Sequence, residues 1–108
     1  MIYEERVYEI PNQVRKAFHE RFEQHAMRIM QKYGFTFVGC WDEEIGEMQN
    51  FVYILQWPDL NTRQEAWAKF NGDPEWTQIK IDSAKQHGQL VAKTRNKILR
   101  PTSYSPAK

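Results

Sequence analysis

Three observations predict an α+β fold for this chain, a four-stranded antiparallel sheet with helices on one face. Four segments have strand composition, two carry apolar residues at helical spacing, and they run in the order strand, helix, strand, strand, broken helix, strand. Two strand–helix–strand units in series, both with right-handed crossovers, give a ferredoxin-like βαββαβ sandwich. The expected domain is 1–101, followed by a C-terminal tail, 102–108, whose Ser103, Ser105 and Pro106 disfavour regular structure.

The first strand is Ile2–Ile10, closed by Pro11. Asn12 is a candidate helix cap, and Val14, Phe18, Phe22, His25 or Ala26, Ile29 and Tyr33 recur at spacings of three and four, one apolar face of a long helix. Gly34 stops that helix just past its C-terminus. Phe35–Trp41 and Gln49–Trp57 make a hairpin with Gly46 in the turn. Pro58 ends the second of these strands, Asp59 or Asn61 caps the next helix, and Leu60, Arg63, Trp67 and Phe70 share one side of it.

The stretch "FNGDPEW" stops that helix and restarts it. Asn71-Gly72 terminates it, Asp73 caps the next, Pro74 suits the first helical position because its missing N–H has no partner there, and Trp76 anchors the new helix by packing. "LVAKTRNKILR", Leu90–Arg100, is the last strand.

At 108 residues the chain fits one domain, and its 14% aromatic content supplies a core. A formal charge of +1 excludes a broad field of one sign, so neither nucleic acid nor a membrane surface is an expected partner. Lys93, Arg95, Lys97 and Arg100 form a basic strip, but acidic residues on the first strand offset it. One cysteine, Cys40, permits no intrachain disulfide, and no apolar run approaches the ~18 residues of a membrane span, so the cytoplasm is the expected compartment.

A sheet covered on one side should alternate apolar and polar residues. Here Phe51, Tyr53 and Leu55 point one way while Val52 and Ile54 point the other, and Phe35, Phe37 and Trp41 oppose Val38 and Cys40. Both faces are apolar, which predicts a homodimer with the two sheets packed face to face. Glu5 and Glu9 on strand one are matched in parity by Lys93, Arg95 and Lys97 on strand four, a complementary pairing of neighbours.

"YEERVYEI", "HAMRIMQKYGFTFVGCWDEEIG", "DLNTRQEAWAKFNGDPEW" and "NKILRP", in this order from Tyr3 to Pro101, resemble the NIPSNAP family of the dimeric α+β barrel superfamily. The Leu of a typical Tyr-Glu-Leu-Arg opening is Glu5 here. The resemblance implies a dimer with a barrel-like centre. In the superfamily's enzymatic branches it implies a small-molecule pocket between sheet and helices, serving cofactor-free monooxygenases or isomerases, or haem.

His25 lies on or beside the apolar stripe of the first helix, where its imidazole is a candidate acid or base aimed at the helix–sheet space. A histidine hydrogen-bonded at the core edge is the competing account. Glu4, Arg6 and Tyr8 alternate on one face of a central strand. A guanidinium beside a phenol suits a carboxylate or enolate, with Arg6 and Tyr8 orienting substrate, and a structural salt bridge is the alternative. Trp41, Tyr53 and Trp57 are candidates to line an aromatic pocket, against roles in core or interface. His19 and His25, six apart, do not share a helix face, and there is no GxGxxG, P-loop, CxxC or GxSxG, so neither a metal nor a cofactor is expected. Two functions follow: a cofactor-independent enzyme of oxygenase or isomerase type acting on a small organic ligand, or a binding module without chemistry.

Overall fold

The aromatic and branched residues of Ile2–Glu9 form the first strand, β1, in a computed structural model that describes all of residues 1–108. β2 (Thr36–Asp42) and β3 (Asn50–Trp57) form the expected hairpin, and β4 (Lys93–Leu99) completes a sheet of order β2-β3-β1-β4 with every pair antiparallel. β1 is therefore central. Glu5 stands opposite Lys97 and Glu9 opposite Lys93, with Lys97 Nζ 3.4 Å from Glu5 Oε1, so the complementary charges of the two strands do meet. β4 starts three residues later than the expected Leu90, whose side chain is buried in the core.

The first helical run has three parts. α1 (Arg15–Arg21) leads into a π-helical turn, Phe22–Ala26, and α2 (Met27–Lys32) continues it. Asn12 does not cap it. Asn12–Val14 form a turn of 3-10 helix whose Val14 N–H donates to the Pro11 carbonyl, and no side chain caps the run. At the other end Gly34 adopts φ +89°, its N–H donates to the Gln31 carbonyl and that of Phe35 to Met30, a pair of bonds that satisfies the free carbonyls of the last turn.

α3 (Leu60–Asn71) and α4 (Pro74–His87) start as expected: Asp59 accepts from Thr62 N–H at 2.7 Å and Asp73 from Trp76 N–H at 2.9 Å. Trp76 is buried and stacks on Phe70 across the corner at 5.1 Å. Leu60 departs from expectation. It is exposed, and Arg63, Trp67 and Phe70 form the inward side of α3 without it.

Glu4, Arg6, Tyr8, Phe51, Tyr53, Leu55 and Trp57 face the helices, where Phe18 and Phe22 of the first run meet Tyr8 and Tyr53 edge-on or tilted at 6.0 and 5.2 Å. Trp41 is a correction to the parity read along β2. The pairing steps from Phe37–Leu55 to Gly39–Ile54, so Val38 is an extra residue, and beyond it Trp41 stands opposite Val52 on the outer face. Its ring lies over Gly39, where an added Cβ would come within 2.6 Å of it. No helix of the chain is long and apolar enough to cross a membrane.

Candidate ligand site

Glu4 is wholly buried on the inner face of β1, and each of its carboxylate oxygens is met by three donors. Oε1 accepts from Trp57 Nε1 at 3.1 Å, Trp67 Nε1 at 3.0 Å and Arg63 Nε at 2.9 Å. Oε2 accepts from Arg63 Nη2 at 2.8 Å, Arg6 Nη1 at 3.1 Å and Asn96 Nδ2 at 3.1 Å. Burial alone would raise its pKa, but the bonds from Arg63, Trp67 and Asn96, with the Arg63 charge, outweigh that and hold it at about 2. Glu4 has no lone pair to spare for a substrate. It is the post on which Arg6, Arg63 and Trp67 are fixed, the arrangement of a structural salt bridge.

Arg6, held from below, is sandwiched. Its guanidinium carbon lies 4.3 Å from the Trp67 ring centroid and 5.5 Å from that of Tyr8, and its Nε donates to Tyr8 Oη at 3.3 Å. Burial opposes its charge, yet Tyr8, Tyr53 and Glu4 around it move its pKa upward. Tyr8 Oη is also 2.6 Å from Tyr53 Oη. Burial pushes the Tyr53 phenol well above its ordinary pKa, with Tyr8 adding to the shift. The two hydroxyls share this hydrogen bond, and either can donate in it. When Tyr53 donates, both Tyr8 lone pairs accept, one from Arg6 and one from Tyr53, and the Tyr8 proton is left for a further acceptor.

That acceptor position is a cavity of about 180 Å³ between sheet and helices. Arg6 and Tyr8 form part of its wall, Phe18, Phe22, Trp67, Phe70 and Trp76 supply aromatic sides, and Arg21 reaches it from the end of α1. No histidine or carboxylate lines it.

The expected site residues are thus divided. Arg6 and Tyr8 line the cavity together, with Glu4 and Tyr53 one layer behind them. His25 does not reach it. It lies half-buried in a surface groove between the first helical run and α4, with Nδ1 3.4 Å from Arg28 Nη2. The π-helical turn explains this: an added residue in the turn lets Phe22 and Ala26 both face the core and moves His25 to the edge, where an unbroken helix would not. Trp41 is on the opposite face of the sheet, and Trp57 is buried as a donor to Glu4. Arg63, Asn96 and Arg21 join the site from outside the expected set. Asn96 stands opposite Arg6 in the β1–β4 register and Arg21 follows Phe18 by three residues, so spacing held a signal for each.

The NIPSNAP family model matches residues 3–106. The chain belongs to the NIPSNAP family. A solved structure of an Agrobacterium tumefaciens protein is 28% identical, covers 98% of each chain and superposes with a TM-score of 0.82. A NIPSNAP-like domain protein from Burkholderia xenovorans is 27% identical over 97% of this chain and 88% of that one, with a TM-score of 0.81. More distantly, an antibiotic biosynthesis monooxygenase shares the fold at 10% identity and a TM-score of 0.65, covering 94% of this chain and 99% of that one. Among curated proteins there is no match.

Proposed function

We propose that this NIPSNAP-family protein is a homodimer that takes a small planar organic molecule into the cavity between sheet and helices, with an oxygen of that molecule on Tyr8. The meeting of Arg6 and Tyr53 on the Tyr8 hydroxyl at the cavity wall carries this reading. When Arg6 and Tyr53 both donate to Tyr8, its hydroxyl is a donor beside a fixed guanidinium, an arrangement suited to an oxygen that gains negative charge as a carbonyl becomes an enolate or a phenol ionises. Cofactor-independent oxygenation and isomerisation both pass through such an anion, and the fold shared with an antibiotic biosynthesis monooxygenase agrees with the oxygenase type. Tyr8 replaces His25 as the proton carrier in this reading.

What supports the dimer is the outer face of the sheet, where Tyr3, Val7, Val52 and Ile54 are half-buried and Trp41 and Leu99 exposed, an apolar patch beside the charged Glu5, Glu9, Lys93, Arg95 and Lys97. A binding role without chemistry is the second reading. What favours it is the cavity wall itself, which offers no histidine or carboxylate to remove a proton.

Native mass spectrometry of protein purified directly from cells tests both parts. The expected spectrum is a dimer carrying extra mass that is lost from Tyr8→Phe and Arg6→Met proteins. Bare wild-type subunits would count against the pocket, and monomers against the dimer. Aerobic incubation of the released molecule with the wild-type protein separates the two readings, since consumption that Tyr8→Phe abolishes supports an enzyme and recovery unchanged supports a binder.

A further inference from the structure

Arg21 is a cation without a counter-ion. None of the chain's ion pairs involves it, and its contacts are a 3.4 Å hydrogen bond from Nη1 to Ser83 Oγ and the face of Trp76 at 5.2 Å. Burial lowers its pKa, with Tyr8 opposing the shift, and its half-buried side chain has no carboxylate within ion-pair distance. Arg6 is the contrast. It faces the same cavity but is ion-paired to Glu4, a carboxylate that it shares with Arg63.

The side chain also sits at a boundary. Arg21 lines the inner cavity and, with His25, Asp82, Ser83 and His87, the surface groove between the first helical run and α4. Its side chain borders both spaces, and the groove also carries the carboxylates of Glu20 and Asp82. Arg21 ends α1 three residues after the buried Phe18, and the π-helical turn begins at the next residue.

We infer that Arg21 is the specificity residue of the cavity, the anchor for the carboxylate of a single-ring aromatic or enolisable acid whose other end reaches Tyr8. Size sets the ring count, because a cavity of roughly 150 Å³ accepts benzene and this one measures about 180 Å³. The aromatic sides set the planar shape, and the unbalanced guanidinium sets the charge, since a planar fork of donors pairs with a carboxylate through two parallel bonds. This rests on the pocket reading above and adds to it the chemical class of the ligand.

The test uses two probes of one shape, benzoate and benzamide, titrated into the full-length protein and followed by calorimetry. Benzoate is expected to bind at least about tenfold more tightly than benzamide, and Arg21→Met to erase that preference while keeping benzamide affinity. Arg21→Lys should retain part of the preference, and circular dichroism checks that each variant is folded. In the wild-type protein the Arg21 side-chain Nε–H resonance should shift with benzoate and stay in place with benzamide, a readout that needs no variant. If Arg21→Met keeps the preference, or the Arg6 resonance moves while that of Arg21 does not, the anchor is overturned and the pocket stands. If neither probe binds, the pocket reading falls and this inference with it.

Discussion

Glu4 illustrates how a residue's neighbours decide its role. Its carboxylate is dry, faces Arg6 and Arg63, and stays ionised to about pH 2, so it acts as structure although it sits one layer from the cavity. Removing one partner of a buried charge cluster costs roughly 3 to 5 kcal/mol. Glu4→Gln is therefore expected to lose about 3 kcal/mol or more in urea unfolding. The pH dependence has a defined sign. The folded pKa lies below the ordinary value of 4.5, so the unfolded chain binds the extra proton and the Glu4 contribution, complete above pH 4.5, is lost as pH falls towards 2. The urea midpoint of the wild-type protein should fall across that window more steeply than that of Glu4→Gln. Arg6 and Tyr8 were legible as a pair from strand alternation alone. The bond that meets the Tyr8 hydroxyl from Tyr53, and the bonds from Trp67 and Asn96 that fill the Glu4 carboxylate, are brought in by three other elements.

At the scale of elements, the corner between α3 and α4 was readable in outline and richer in fact. Asp73 caps α4 as Asn-Gly-Asp-Pro requires, but its buried carboxylate also accepts from Tyr33 Oη at 2.6 Å and pairs with Lys32 Nζ at 3.5 Å, tying the new helix to the end of α2. Those bonds, Tyr33 first, hold its pKa below the ordinary aspartate value. Loss of a helix cap alone costs about 1 kcal/mol, and Asp73→Ala should exceed that in thermal or urea unfolding because Tyr33 is left without its partner. Gly34→Ala isolates the backbone term. No atom lies within 4 Å of the added Cβ, so the expected loss of about 1 to 2 kcal/mol comes from the left-handed φ of +89° alone. The π-helical turn and the bulge at Val38 were not legible. Each inserts one residue into a regular period and reassigns every side chain beyond it, which is why His25 and Trp41 left the faces that a strict count gave them.

The whole molecule is a sheet with one face used by its own helices and a second face that is apolar over β2 and β3 and charged over β1 and β4. If a second copy covers that face, Ile54→Glu on the central strand β3 should yield monomers by light scattering. Tyr8 and Arg6 face away from it, so affinity for benzoate should persist in the monomer if the cavity is built within one chain. Loss of binding together with loss of dimer would instead mean that the second copy completes the site.

Local chemistry decided the order of the elements, the helix caps at Asp59 and Asp73, the stop at Gly34 and the pairing of Glu5 with Lys97, because each depends on the spacing of residue types within one segment or between two regular ones. Tertiary structure decided the site. Whether a carboxylate is a base or a post, whether a guanidinium is balanced, and which phenol donates to which are matters of how many partners converge on one atom, and those partners come from strands and helices up to 92 residues apart.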